Sequence, residues 1–287
     1  MSTPPTCVLA ADLGGTSTRA ALVDSTGQLL RLAQGTTPAQ QGAAAVLATL
    51  KTLLIEARGD AQPQALGLSL AGVIDPSAAR VLDATDALPG WKGTALYPAL
   101  AELGLPLAAR NDVHAALLGE RWLGGLRECD HGALMTLGTG LGAGLLINGR
   151  LHTGRGHLAG HLGRTEVLHE GQRLPLEALL SGTGLARLHG SAANGHEVLA
   201  RVQQGDTRAQ SALQTWVGHL ALALHNLHWL LDPGRVLIGG GLIEARTAWW
   251  PLLQPLLDAL PLEVKPAELG ARAGLLGAAH LAFTEAA

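Results

Sequence analysis

The stretch Thr6-Cys7-Val8-Leu9-Ala10-Ala11-Asp12-Leu13-Gly14-Gly15-Thr16 sets the reading of the whole chain. Residues 6–11 are an apolar run of strand length. They end in a carboxylate, two glycines and a hydroxyl. Glycine has no Cβ, so backbone N–H groups in such a turn can approach phosphate oxygens, and the Thr16 hydroxyl adds a donor. Asp12 can hold Mg²⁺ through water. The spacing is neither that of the Walker loop nor that of the dinucleotide fingerprint. An ordinary hairpin turn gives the same short pattern.

Outward from that turn, Arg19–Asp24 and Gln28–Ala33 read as two more strands, antiparallel to the first. Residues 43–57 carry Val46, Leu47, Leu50, Leu53 and Leu54 at helical spacing, and Gly59 stops the helix. Residues 65–71 form another buried strand. The pattern then recurs. Residues 133–137 are a strand, Gly138-Thr139-Gly140-Leu141-Gly142 a turn, and residues 143–147 a strand. Asn148-Gly149 is a hairpin signal with a return strand after it. Two glycine turns after clean apolar strands fit two similar halves that each hold phosphate. Residues 209–231 read as one long amphipathic helix, ended by Asp232-Pro233-Gly234. The strand 236–238 leads into Gly239-Gly240-Gly241, a bare turn against which a purine or ribose can lie.

Composition narrows the class. The chain has 287 residues, 47% hydrophobic and 15% charged, enough for a large core and too apolar for disorder. No run of eighteen apolar residues exists, so a spanning helix is not expected. Met1 to Pro5 lacks the basic start of a secretory signal. Two cysteines, Cys7 and Cys129, cannot build a disulfide framework, and a cytoplasmic location is expected. The net charge is -3, with three lysines and no basic stripe, so nucleic acid is not an expected partner.

Two further segments carry chemistry. Asn111-Asp112 follows the apolar run 106–109 and precedes a helix. Both types are favoured helix caps, and a carboxylate at a strand end can also take a proton from a substrate hydroxyl. The segment Leu151–Arg164 is rich in His and Gly. His157 and His161 are four apart, but the glycines between them argue against a metal-binding helix.

The ordered set resembles the ROK family of bacterial sugar kinases and repressors: Asp-x-Gly-Gly-Thr, Asn-Asp, Gly-Thr-Gly-x-Gly, Ala-Gly-x-x-Gly, Ser-Gly-Thr and Gly-Gly-Gly. The likeness runs from Val8 to Ala282, through Leu88-Pro89-Gly90-Trp91 and the tail Ala273-Gly274-Leu275-Leu276-Gly277-Ala278-Ala279. It implies an α/β, actin/hexokinase-like fold of two lobes, duplicated ribonuclease-H-like domains with a cleft between them. Residues 1–110 plus 273–287 would form the small lobe and 111–272 the large one. It implies ATP, Mg²⁺ and transfer of the γ-phosphoryl to a sugar hydroxyl, usually at C6, with closure on sugar binding. By position, Asp112 matches the catalytic base. Asn111, Gly72, His161, Arg164 and Glu177 match sugar contacts. Asp12, Gly14, Gly15 and Thr16 match the first phosphate loop. Gly138, Thr139 and Gly140 match the second, and Gly239, Gly240 and Gly241 the adenosine loop. A homodimer and no membrane partner are also expected.

Three departures bear on the sugar. The family's Glu-x-Gly-His is His161-Leu162-Gly163-Arg164 here. Its zinc-binding cysteine box would fall near His169 to Pro175, where no cysteine stands, so the structural zinc is not expected. A substrate-contacting Asn ahead of Leu-Pro-Gly is Ala87. His at position 161 looks like the bacterial N-acetylmannosamine kinases, which read Ala-Gly-His-Ile-Gly-His. Gln204-Gly205-Asp206 is similar to them too. N-acetylmannosamine is the leading expectation, and a glucokinase or other hexose kinase the alternative. A ROK-type repressor would need a winged helix ahead of residue 12. A non-catalytic sugar-binding relative is the remaining class.

Overall fold

A computed structural model of the chain describes residues 6–286. Met1–Pro5, read above for a leader, lie outside the described residues. The chain forms two compact units.

The first unit opens with β1 (Cys7–Leu13), β2 (Ser17–Asp24) and β3 (Leu29–Thr36). Then come α1 (Ala43–Arg58), β4 (Leu66–Leu70), and the small hairpin β5 (Val73–Asp75) and β6 (Arg80–Asp83). Short α2 (Leu96–Leu100), β7 (Leu107–Asn111) and α3 (Asp112–Leu123) follow. The sheet order is β3-β2-β1-β4-β7. β1, β2 and β3 pair antiparallel, while β4 is parallel to both β1 and β7. Val46, Leu50 and Leu54 of α1 are buried with Leu9, Leu13 and Leu68 in one apolar cluster. The helical spacing read from the sequence thus faces the sheet.

The second unit contains β8 (Gly132–Leu137), β9 (Leu141–Ile147) and β10 (Arg150–Leu151), then the hairpin β11 (Glu166–His169) and β12 (Gln172–Pro175). Helices α4 (Gly182–His189), α5 (Gly195–Gln203) and α6 (Thr207–Leu231) lead to β13 (Arg235–Gly239), α7 (Trp250–Leu257) and β14 (Glu263–Pro266). Its sheet order is β10-β9-β8-β13-β14. Three antiparallel strands again precede two parallel ones. The two sheets therefore repeat one topology, strand for strand, as duplicated ribonuclease-H-like units do. Trp216 and Trp249 meet edge to face with centroids 5.6 Å apart in this unit's core. They are structural, as aromatic pairs of this geometry usually are.

The last helix, α8 (Ala273–Thr284), goes back to the first unit. Its small residues explain how. A Cβ on Gly277 would stand 1.7 Å from the Ala115 carbonyl oxygen of α3, and one on Gly119 would stand 2.3 Å from that of Ala273. The two helices meet backbone to backbone. As a result, α3 and Asp112 group with the first unit, which runs to Arg127 and also takes in Gly154–Leu158. The expected boundary after residue 110 falls inside β7, one residue before its end, whereas the compact units divide after Arg127.

Candidate active site

Register places the acidic centre of the first unit. Asp12 lies opposite Arg19 on β2 and Ser69 on β4. Ser69 Oγ donates to Asp12 Oδ1 at 2.6 Å. A Cβ on Gly274 would sit 2.7 Å from the same oxygen, so the first turn of α8 stands directly on the carboxylate. Burial pushes the Asp12 carboxyl up, against the opposing pull of the Ser69 hydrogen bond and the Arg19 charge. The turn after it is pinned from β3's end. Thr37 N donates to the Thr16 carbonyl at 3.0 Å, and Thr37 Oγ1 to the Gly14 carbonyl at 2.8 Å. Gly15 is backed by Ala87, whose Cβ is 3.9 Å from where a Cβ on Gly15 would be.

Asn111 is the N-cap of α3. Its Oδ1 accepts from Val113 N and His114 N at 3.0 and 3.3 Å, and its Nδ2 donates to the Gly72 carbonyl at 2.8 Å. One side chain thus ties α3 to the start of the β5–β6 hairpin and brings Asn111, Asp112 and Gly72 together. Asp112 accepts from its neighbour Val113 N at 2.9 Å. Its pKa is raised to about 6, first by burial and then by the negative charge of Asp12. A carboxylate in that position is ionised at neutral pH yet basic enough to take a proton. Two desolvated carboxylates, one of which raises the other, also suit a divalent cation, whose charge would relieve both. Asp12, with one oxygen held by Ser69, is the residue fitted to hold Mg²⁺ through water.

The second unit gathers the other predicted residues around two turns. Glu177 braces the β8–β9 turn: its Oε2 accepts from Leu141 N at 2.7 Å, and a Cβ on Gly140 would lie 2.5 Å from that atom. Gly163 lies against the same side chain, its would-be Cβ 3.1 Å from Glu177 Cβ. The short 3-10 turn Leu162–Arg164, entered from His161, therefore folds onto Glu177. His161, Arg164 and Glu177 belong to one neighbourhood.

At the carboxyl ends of β8 and β13, Gly138 and Gly241 meet, a Cβ on Gly138 lying 4.0 Å from Gly241 N. Gly240 has φ +86°, and its Cβ would be 2.4 Å from the Leu137 carbonyl oxygen, so only glycine serves there. Gly182 N donates to the Gly138 carbonyl at 2.7 Å and Thr183 Oγ1 to the Thr139 carbonyl at 3.1 Å. The β8–β9 glycine turn, the Ser181–Thr183 motif and the triple-glycine turn lie together, at the strand ends where open α/β sheets bind ligands.

Sequence reasoning missed Ser69 and Thr37. Ser69 carried a signal: it is the one polar residue in the apolar run 65–71, and it is fully buried.

A structural zinc does not fit the residues present. No cysteine occupies the hairpin 166–175, and no group of three His, Cys, Asp or Glu that could hold a metal occurs among the described residues. His169 is instead engaged with His219 of α6, Nδ1 to Nε2 at 3.3 Å. Beyond the hairpin, Leu176 is buried in the core, while Pro175 is exposed.

The sequence profile of the ROK family matches residues 8–285. The chain belongs to the ROK family. Among its relatives is the N-acetylmannosamine kinase of Escherichia coli, 32% identical over 96% of this chain and 98% of that protein. The bifunctional enzyme NanE/NanK of Brucella suis is 33% identical over 98% of this chain, which spans about half (54%) of that enzyme's length. A solved ROK glucokinase from Streptomyces griseus, in complex with glucose and AMPPNP, superposes with a TM-score of 0.82 and 27% identity, covering 96% of this chain and 99% of its own. This ROK protein is an ATP-dependent sugar kinase with an actin/hexokinase-like fold. No helix among the described residues is long and apolar enough to cross a membrane.

Proposed function

We propose that this ROK kinase phosphorylates the 6-hydroxyl of an N-acetylhexosamine, with N-acetylmannosamine the preferred sugar. The supporting observation is the turn His161–Arg164 folded onto Glu177. A glutamate at 161 would only accept hydrogen bonds. His161 can donate, and Arg164 only donates. An acetamido carbonyl at C2 needs a donor, whereas Glu177 still supplies an acceptor for the C1 hydroxyl. In the reaction, the sugar O6 attacks the γ-phosphorus, the bond to the ADP oxygen breaks, and the O6 proton goes to Asp112. Mg²⁺ held by Asp12 would neutralise charge on the phosphates. The turns at Gly14–Thr16, Gly138–Gly140 and Gly239–Gly241 hold the nucleotide. Asn111, bound to the Gly72 carbonyl, orients the sugar beside Asp112. The hairpin 166–175 needs no zinc, its place being taken by the His169–His219 contact and Leu176.

The second reading is a plain hexose kinase, favoured by the retained acceptor Glu177 and by the glucose-bound relative. The test is kcat/KM for N-acetylmannosamine, N-acetylglucosamine, glucose and mannose. The acetamido sugars should lead, and His161→Glu should shift preference about tenfold toward the plain hexoses, since an unpaired buried polar group costs about 1–3 kcal/mol. A wild-type preference for glucose refutes the reading.

The exposed side of α6 supports a homodimer. Leu222, Trp229 and Leu230 lie one face apart at seven and eight residues, with Trp229 71% and Leu230 79% exposed.

A further inference from the structure

Four separate segments of the second unit approach one another with bare backbone. Gly182 N bonds the Gly138 carbonyl. A Cβ on Gly195 would stand 2.8 Å from Gly182 Cα and 2.9 Å from its carbonyl oxygen. Glycine at both positions is what lets the start of α5 press onto the start of α4, beside the second phosphate turn. The next residue, His196, is thereby delivered to the triple-glycine turn: its Nε2 is 3.9 Å from where a Cβ on Gly241 would be.

The first turn of α5 is capped from both directions. Asn194 caps it, with Oδ1 accepting from Glu197 N at 3.0 Å. Glu197 reaches back to Ala193 N at 2.8 Å and is held on its other oxygen by Arg201. Glu197 and Arg201 are thus satisfied by one another and by the cap. His196 is not: its ring is exposed, and no hydrogen bond or ion pair engages it among the described residues. An exposed, unengaged imidazole standing beside backbone that carries no side chain offers an aromatic surface next to a glycine surface.

We propose that His196 is the aromatic wall of the nucleobase pocket, packing on the adenosine of ATP as it lies along Gly240–Gly241. The inference rests on reading the triple-glycine turn as the adenosine loop. Stacking on an aromatic side chain tolerates any base, so His196 supplies affinity for a nucleoside over bare phosphate rather than choice among bases. It acts on binding and takes no part in phosphoryl transfer.

The experiment is calorimetric titration of the full chain with Mg-ADP and with Mg-pyrophosphate, in wild type, His196→Ala and His196→Phe. The expected result is Mg-ADP affinity roughly tenfold weaker in His196→Ala, affinity kept in His196→Phe, and pyrophosphate affinity unchanged in all three. In steady state, His196→Ala should raise KM for ATP by a similar factor at constant kcat. Equal Mg-ADP affinity in wild type and His196→Ala overturns the role of His196 and leaves the adenosine loop standing. A parallel loss of pyrophosphate affinity also overturns it. Wild-type protein that binds pyrophosphate but gains nothing from the nucleoside overturns the adenosine-loop reading itself.

Discussion

Asp112→Asn should cost activity and add stability. The substitution keeps the shape of the side chain and an oxygen to accept from Val113 N, so the start of α3 is undisturbed. It removes a base, and positioned proton transfer typically contributes 10²–10⁴-fold, so kcat should fall by about that factor with little change in nucleotide binding. The stability effect follows from the raised pKa. Burial and the Asp12 charge lift Asp112 from 3.8 to about 6 in the folded chain. Between those values the folded state holds a proton that the unfolded state has lost, so stability falls as pH rises through that window and stays lower above it. A shift of about two units corresponds to at most about 3 kcal/mol, reduced by the partial exposure of the side chain and by any bound cation. The neutral amide avoids this penalty. Urea unfolding without Mg²⁺ should therefore show Asp112→Asn more stable than wild type at pH 7.5, with the gap closing as pH drops toward 4. Turnover with sugar and ATP is measured alongside. Full turnover in the variant would leave Asp112 as a helix residue only. An unchanged or reduced stability at pH 7.5 would refute the electrostatic argument.

In Mg²⁺-free protein Asp112 should titrate near pH 6, and Asp12→Asn, which removes the charge that helps raise it, should move that titration to lower pH by NMR; a titration that stays or rises contradicts the coupling. Metal analysis of untagged protein should find no stoichiometric zinc, and one zinc per chain that disappears in His169→Ala would overturn that expectation. Sedimentation should show a dimer that Trp229→Asp with Leu230→Asp converts to monomer, and a monomeric wild type would refute the role of the α6 face.

The strands flanking each glycine turn were legible because their signals are local. An apolar run ending in Asp12-Leu13-Gly14-Gly15 or in Gly138-Thr139-Gly140 states both the strand and its turn. The length of α6 was legible for the same reason, with its stop at Asp232-Pro233-Gly234. The strands β11, β12 and β14 are short and half-exposed. β14 pairs with β13, its partner distant in sequence, while β11 and β12 pair across the two-residue turn Glu170-Gly171, and in none of the three does a hydrophobic periodicity announce the strand.

The sequence by itself determined the duplicated glycine turns, the family and the residue types at the reacting end. It named Asp112 as a base or a cap without deciding between them. Only the tertiary structure shows Asp12 beside it electrostatically, because β1 and α3 are joined through β4 and α8 rather than along the chain. Burial first, and that juxtaposition second, lift the carboxyl to a pKa suited to taking a proton. The same holds for Gly195 and His196. In sequence they open an unremarked helix. In space, the absence of a side chain at Gly182 and Gly195 lets two backbones touch, and that contact sets His196 against Gly241.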